Sequence, residues 1–122
     1  MINFLLVGIG GFIGSCIRYL FVQIPVWGNI EFPVSTLLIN FICSFLIGII
    51  SFISPSSPLN LFFKFGICGG FTTFSTFSLE TFNMIESGKM FPAVSYSLAS
   101  LVLCLIGVFL GKLVSRILLY KT

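Results

Sequence analysis

The stretch Gly69-Gly70-Phe71-Thr72-Thr73-Phe74-Ser75-Thr76-Phe77-Ser78-Leu79-Glu80 decides how this chain is interpreted, because it is polar within a sequence that is otherwise apolar. It contains two glycines, five hydroxyl residues, three phenylalanines and one of the three acids of the chain. Such a stretch is either an exposed loop or the functional part of a membrane protein. The composition of the whole chain decides between these two interpretations.

The composition indicates an integral membrane protein. Of 122 residues, 57% are hydrophobic and 7% are charged, whereas a soluble domain carries about a quarter of its residues as charged side chains. The net charge of +3 is too small and dispersed for a nucleic-acid surface, and histidine, the commonest general base and metal ligand, is absent. The cysteines show no paired spacing, so we expect small buried hydrophobic residues rather than disulfides or a zinc site: Cys16, Cys43, Cys68 and Cys104.

Four apolar segments predict an all-α membrane protein, a single domain of four transmembrane helices over residues 1–122. About 20 helical residues cross the hydrocarbon core of a bilayer. The helices are predicted at about Ile2 to Ile24, Pro33 to Ile53, Asn60 to Ile85 and Pro92 to Leu118. The third contains the polar stretch, and we expect it to be broken near its middle.

The segments between the helices carry turn and interface signals. Pro25, Gly28 and Asn29 are expected to end the first helix, and Trp27 is expected at the membrane interface. No cleaved secretory signal is expected at the N-terminus, because Met1 to Phe4 contains no basic residue.

Charge does not fix an orientation in the membrane. With four crossings, both chain ends lie on the same side of the membrane. Four cationic residues lie on that side: Lys64, Lys112, Arg116 and Lys121. Lys89 and Arg18 lie toward the other side. This excess is too small to set one topology, so insertion in both orientations is permitted.

Small residues recur at four-residue spacing in each helix, as in Gly10 and Gly14, or Gly107 and Gly111. In lipid, such faces allow helix backbones to approach closely, either within one bundle or between subunits. A four-helix chain of 13.4 kDa has few interior faces, so we expect a homo-oligomer, with a dimer as the default.

Three polar residues within the apolar segments are candidates for function. Asn40 is either a hydrogen-bonding contact between helices or a donor lining a pore. Arg18 is six residues from the predicted end of its helix. We expect its side chain to extend to the membrane interface and to make a structural contact there. The alternative is a fixed positive charge that attracts anions. Glu80 follows the hydroxyl-rich run, and we expect it in a vestibule near the end of the third helix.

The polar stretch itself predicts irregular backbone beside a cavity. Gly69-Gly70 followed by Thr72-Thr73 is weak helix sequence, and irregular backbone at membrane depth survives only inside protein or beside a cavity. Backbone carbonyls freed there are suitable ligands for a hard cation such as Na⁺.

Aromatic and hydroxyl residues suggest an anion route beyond the glycines. Phe74 and Phe77 are three apart and therefore neighbours on one helix face, with Ser75 and Ser78 beside them. Two ring edges, which carry partial positive charge, could replace part of the water shell of a small anion, although ordinary aromatic packing explains the pair equally well. A further stripe in the fourth helix adds neutral donors: Tyr96, Ser100 and Cys104.

Three ordered motifs resemble the CrcB/Fluc family of fluoride channels over nearly the whole chain. They are Gly10-Gly11-Phe12-Ile13-Gly14 with Arg18-Tyr19, then Thr36-Leu37-Leu38-Ile39-Asn40 with Gly48, and Gly66-Ile67-Cys68-Gly69-Gly70-Phe71-Thr72-Thr73-Phe74-Ser75-Thr76-Phe77-Ser78. The third motif is highly specific.

The resemblance implies a dual-topology antiparallel homodimer with two fluoride pores in a prokaryotic cell membrane. It assigns Phe74 and Phe77 to the ring pair lining each pore and Asn40 to a donor beside them. It implies that carbonyls of Gly69 and Thr72 bind a structural Na⁺ at the dimer axis. It assigns Tyr96 and Ser100 to a row of polar side chains that the fourth helix contributes to the pore, and Glu80 and Thr36 to the mouth of that row. Arg18 corresponds to an arginine that the family carries in its first helix. Cys104 departs from the family, in which serine is frequent.

The resemblance further implies passive export of F⁻ that protects a microbe from fluoride. One alternative is a small proton-coupled multidrug exporter, but the first segment lacks the carboxylate such proteins carry there. A second is a structural subunit of a membrane complex, in which the polar stripes would be packing contacts. An intramembrane enzyme is disfavoured, because no base is paired with a serine or cysteine nucleophile.

Overall fold

The computed structural model of the chain describes residues 1–24 and 32–121. Within these residues all regular structure is helical. The predicted turn at Pro25 to Asn29, with the interface residue Trp27, lies outside the described residues.

The helices lie close to their predicted bounds. Helix α1 is Ile2–Val22 and helix α2 is Val34–Ile53, which begins directly after Pro33. The third predicted helix consists of α3, residues 58–71, and α4, Phe74–Glu86. Helix α5, Met90–Tyr120, extends two residues beyond its predicted bounds at each end. The all-helical prediction is therefore confirmed.

Helix α3 is not a uniform α-helix. It begins with the turn Pro58–Asn60, continues as the π-helix Leu61–Cys68 and ends with Gly69–Phe71. Ser57 caps its start by accepting a hydrogen bond of 3.1 Å from the backbone N–H of Leu59. The π-helical geometry, which is rare and concentrated near functional sites, was not predicted from the sequence.

The predicted break is present, but it follows the glycines instead of coinciding with them. Gly69 and Gly70 are helical, and the chain becomes extended at Thr72 and Thr73, with ψ of 157° and 117°. A Cβ on Gly70 would lie 2.5 Å from the carbonyl oxygen of Gly11. Gly70 is therefore required for close contact between α3 and α1, and β-branched threonines, which favour extended backbone, form the break.

Glycine contacts pair the helices in parallel. Gly10 approaches Gly66 and Gly14 approaches Ile67, so α1 and α3 run in the same direction. Helices α2 and α5 are paired in the same way, because Gly107 meets Phe41 while Gly111 meets Gly48. The predicted small-residue faces thus pack against each other inside one chain, which shows close packing within the bundle and leaves the dimer untested.

The short connections place opposite helix ends together. The amide nitrogen of Asn60 donates to the carbonyl oxygens of Ser54 at 2.6 Å and Ile50 at 3.3 Å, which joins the start of α3 to the end of α2. At the other end of the molecule, Gly88 has φ of +77° in the tight turn between α4 and α5, a conformation that glycine adopts easily.

Two small clusters of buried side chains form the core. One contains Ile39, Cys43, Cys68 and Phe71 between α2 and α3, and the other contains Met84, Ala93 and Tyr96 between α4 and α5. The expectation of buried cysteines is confirmed for Cys43 and Cys68. It is wrong for Cys16, which is exposed on α1.

Three described helices are long and apolar enough to cross a membrane: α1, α2 and α5. Their outer surfaces are rich in exposed large hydrophobic side chains. Because water does not tolerate so much exposed apolar surface, these helices indicate a multi-pass membrane protein.

Candidate ion-binding cleft

A cleft of about 430 Å³ opens between α2, α5 and the break before α4. None of its lining residues carries a formal charge. The lining consists of Asn40, Ser44, Ile47, Thr72, Thr73, Phe74, Phe77, Ser97, Ser100, Leu101 and Cys104. The structure therefore brings together four residues that the sequence analysis assigned to one path: Asn40, Phe74, Phe77 and Ser100.

Asn40 connects α2 to the break. Its side-chain oxygen accepts a hydrogen bond of 3.3 Å from the backbone N–H of Thr73. Because an N–H must point at the oxygen and not at the NH₂ group, this contact fixes the orientation of the amide. The NH₂ group of Asn40 is then left as a donor for the cleft; the contact between helices is observed, and the role as a donor in a pore stays a prediction.

Thr73 caps the start of α4. Its hydroxyl accepts a hydrogen bond of 3.1 Å from the N–H of Thr76 and lies 2.9 Å from the hydroxyl oxygen of Thr76. An N-cap threonine satisfies one of the free N–H groups at a helix start, which is why α4 begins at this point. Thr73 was missed as a functional residue, although a threonine three residues before Thr76 is a recognisable capping signal.

The two phenylalanines form the predicted pair. The ring centroids of Phe74 and Phe77 are 5.6 Å apart with 39° between their planes. Phe77 also contacts the ring of Tyr96 at 5.1 Å, which holds it against α5. Phe74 is 79% exposed, so within a single chain it is covered on one side only.

Helix α5 contributes a hydroxyl without a partner. Ser100 is 7% exposed, and its oxygen has no hydrogen-bond partner among the described residues. A buried hydroxyl normally bonds to the backbone or to water, so this atom can serve a species that enters the cleft. Cys104, one turn further along α5, also lines the cleft.

Glu80 is held one turn beyond the cleft by two hydroxyl donors. Thr36 donates to one carboxylate oxygen at 2.7 Å, and Tyr96, which is fully buried, donates to the other at 2.9 Å. Charge-assisted bonds of this kind are short and strong. They link α2, α4 and α5 at the position predicted for a vestibule.

A second cavity of about 230 Å³ adjoins Glu80 on the side of the α4–α5 turn. It is lined by Pro33, Glu80, Asn83, Met84, Ser87 and Lys89. The sequence analysis missed Asn83 and Lys89 here. Asn83 is three residues after Glu80 on the same helix, whereas the proximity of Lys89 to Glu80 depends on the tight turn at Gly88.

Arg18 lies on α1 and lines a separate cavity of about 270 Å³, which also contains Thr36, Thr73 and Thr76. This cavity reaches the opposite side of the break from the ring pair. Arg18 is half-buried, so its guanidinium adds positive potential beside the break without lining the cleft itself.

Ser75 is a predicted pore residue that the structure leaves at the surface, outside the lining of the cleft. It is exposed, and its hydroxyl lies 3.4 Å from the hydroxyl of Thr73. Its assignment to a pore stays a prediction.

The break supplies carbonyl oxygens of the kind that a Na⁺ site needs. In a continuous helix the carbonyl of Gly69 would accept from the N–H of Thr73, but that N–H bonds to Asn40. Gly69 is exposed, and the backbone of Thr72 is extended beside it. Unwound carbonyls suit Na⁺, so these residues fit the ion.

Comparisons with known proteins identify the family of this chain. Residues 5–112 match the profile of the family described as "CrcB-like protein, Camphor Resistance (CrcB)". A protein of Ruminiclostridium cellulolyticum named "Fluoride-specific ion channel FluC" is 45% identical over 95% of this chain and 94% of its own length. Proteins with the same name from Elusimicrobium minutum and Methanocaldococcus jannaschii are each 41% identical, and cover 96% and 91% of this chain and 96% and 92% of their own lengths. The chain is therefore a member of the CrcB family.

Proposed function

We propose that this protein is a fluoride-selective channel that lets F⁻ leave the cell passively and so protects it from fluoride. The observation that carries the proposal is the similarity over nearly the whole chain to proteins named fluoride-specific ion channels, at 45% identity for the Ruminiclostridium cellulolyticum protein. The uncharged cleft with its free donors supports the same function from the structure.

Neutral donors suit the passage of a small anion. The NH₂ group of Asn40, the hydroxyl of Ser100 and the ring edges of Phe74 and Phe77 replace part of its water shell. A full positive charge at this point would hold the ion too tightly, because conduction needs binding weak enough for the ion to leave.

The membrane potential is sufficient to drive export. A negative interior favours outward movement of one anion by about 2.3 kcal/mol per 100 mV. Glu80 and Lys89 mark the vestibule at one end of the route, and Arg18 raises the potential for anions near the break. Nucleotide hydrolysis is not required.

The assembly proposed is an antiparallel homodimer with two pores. Helices α3 and α4 together form the fourth crossing of each subunit, beside α1, α2 and α5. The exposure of Phe74 and Gly69 supports a second copy that completes each cleft and joins four carbonyls, from Gly69 and Thr72 of both copies, around a structural Na⁺ at the dimer axis. The protein resides in the inner membrane of a prokaryote in both orientations.

Fluoride efflux from liposomes tests the function. Purified protein is reconstituted in vesicles loaded with KF or KCl, a K⁺ ionophore is added, and the released anion is followed with an ion-selective electrode. Rapid protein-dependent loss of F⁻ without loss of Cl⁻ is expected. Equal release of both anions would contradict selectivity, and an absence of protein-dependent F⁻ release would contradict the channel.

A further inference from the structure

Four of the six cationic side chains of this protein lie toward one end of the helix bundle. The contacts of α2 with α5 and of Asn60 with Ser54 place the end of α2, the start of α3 and the end of α5 together. Four cationic side chains belong to this basic end: Lys64, Lys112, Arg116 and Lys121. Both acids of the described residues, Glu80 and Glu86, lie in α4. Within the described part of the chain, the basic end therefore has no carboxylate partner.

The length of α5 places this end at the membrane surface. Its 31 residues extend about 46 Å, whereas the hydrocarbon core of a bilayer is about 30 Å thick. Counted from Pro92, where the transmembrane segment is predicted to begin, about 20 residues reach the level of Lys112. The last turns of α5 then lie among lipid headgroups.

These last turns combine basic and exposed apolar side chains. Lys112 and Arg116 are four residues apart and share one helix face. Exposed apolar side chains lie beside them: Leu113 at 38% and Ile117 at 58% exposure lie on neighbouring faces, and Tyr120 at 95% is one turn after Arg116. Basic residues beside apolar ones are typical of segments that lie against anionic lipid.

Lys112 is held in a defined position beside α2. Its ammonium nitrogen lies 4.9 Å from the ring centroid of Phe52, in a cation–π contact. Gly48, which packs against Val108 and Gly111, lies one turn before Phe52 on the same face of α2.

A free hydroxyl lies in the same part of α2. The side-chain oxygen of Ser51 is buried and has no hydrogen-bond partner among the residues that the structure describes. Ser51 is three residues after Gly48 and adjacent to Phe52, so it belongs to the turn that faces the end of α5. The Ser51 oxygen is enclosed by protein, so the groups that match the phosphate group of a lipid are the Lys112 ammonium, fixed by an aromatic ring, and the neighbouring Arg116 guanidinium.

We infer that the ends of α2 and α5 form a binding site for the phosphate headgroup of an anionic phospholipid, with Lys112 and Arg116 as its ligands. The apolar side chains of the last turns of α5 contact the acyl chains of the same lipid. This site is separate from the cleft, so it stabilises the protein whether or not the protein conducts fluoride.

Thermal unfolding of the full-length protein in detergent tests the site, with Tm followed by the fluorescence of its one tryptophan. Phosphatidylglycerol is expected to raise Tm by about 4 °C more than phosphatidylcholine with the same acyl chains. The difference is expected to disappear in K112Q/R116Q and to persist in the charge-conserving K112R/R116K. K89Q, which removes a cation at the opposite end, is the matched control and is expected to keep the difference.

Three outcomes would overturn the inference. They are equal Tm values in the two lipids for the unaltered protein, an undiminished phosphatidylglycerol effect in K112Q/R116Q, and an equal loss of the effect in K89Q. Glycerol 3-phosphate is expected to give no shift, and a shift equal to that of phosphatidylglycerol would indicate a site for soluble phosphate instead. If K112Q/R116Q does not fold, native mass spectrometry of the single variants K112Q and R116Q is expected to show fewer retained phosphatidylglycerol molecules than K89Q, and equal retention would contradict the site.

Discussion

At the scale of single residues, Asn40 has both structural and ion-binding potential. Its oxygen accepts from the N–H of Thr73 and its nitrogen remains free to donate into the cleft. The sequence left these two roles as alternatives because it did not show which group faces the break. The amide geometry assigns the structural contact to the oxygen and leaves the nitrogen as the donor that we propose for the ion route.

Substitution at Asn40 separates the two roles. Asn40→Asp keeps an oxygen for the N–H of Thr73 but replaces the donor with a negative charge, so F⁻ efflux is expected to fall more than about 100-fold while the protein stays folded. Asn40→Ala leaves that N–H unpaired and is expected to lower the free energy of unfolding by about 1–3 kcal/mol. Normal efflux through Asn40→Asp would remove Asn40 from the ion route.

Cys104 is a natural thiol with which the position of the ion route can be tested. Its thiol lines the cleft, while Cys16 is exposed on α1 and the other two cysteines are buried. A cationic methanethiosulfonate is therefore expected to slow F⁻ efflux by modifying Cys104. The Cys104→Ser variant is expected to be protected from this inhibition, whereas the matched variant Cys16→Ser is expected to be inhibited like the unaltered protein. Inhibition that survives in Cys104→Ser would place the sensitive thiol elsewhere.

At the scale of elements, the broken third helix shows what sequence can and cannot predict. Helical periodicity correctly placed Phe74 beside Phe77 and Ser100 one turn from Cys104, because spacing alone determines which residues share a face. Helical periodicity did not place the break correctly, because a Gly69-Gly70 pair can serve either of two purposes. It can form irregular backbone, or it can allow two helices to pack closely. The contact of Gly70 with Gly11 distinguishes these possibilities, and it exists only in the folded chain.

Long-range contacts account for the other differences. The bond from Thr73 to Asn40 joins positions 33 residues apart, and no local pattern encodes such a pair. The proximity of Lys89 to Glu80 depends on a turn whose shape is set by the positive φ of Gly88. The π-helix Leu61–Cys68 lies where α3 packs on α1, and composition alone carries no signal for it.

Two glycines of α1 give a matched test of this packing. A Cβ at Gly14 would overlap the carbonyl oxygen of Ile67, whereas a Cβ at Gly8 would meet nothing within 4 Å. Gly14→Ala is therefore expected to destabilise the protein by about 1–3 kcal/mol, because the two helices must separate. Gly8→Ala is expected to be neutral or slightly stabilising, since alanine favours helix. Equal unfolding midpoints for the two variants would contradict the close contact between α1 and α3.

At the scale of the whole molecule, a single chain leaves two groups near the break uncovered. Phe74 is 79% exposed although it belongs to the ring pair, and Gly69 is exposed although its carbonyl lacks the usual helical donor. The second copy of the chain that we propose would cover both groups. The weak charge bias between the two ends allows that copy to insert in the opposite direction.

Topology tagging tests the antiparallel arrangement. A single cysteine added after Thr122 in a cysteine-free variant is expected to react with an impermeant maleimide in about half of the molecules from each side of the membrane. Permeabilised cells, in which all molecules should react, provide the control. Complete labelling from one side only would show a single orientation and exclude the antiparallel dimer.

The central claim is that fluoride passes through the cleft lined by Asn40, Phe77 and Ser100, and the most direct test is the F⁻ efflux rate of Phe77→Ile in liposomes. The matched control is Phe109→Ile, since Phe109 is 59% exposed on α5 and does not line the cleft. Loss of the ring edge is expected to slow efflux at least about tenfold in Phe77→Ile, with Phe109→Ile close to the unaltered protein. Equal efflux rates for Phe77→Ile and the unaltered protein would contradict the claim.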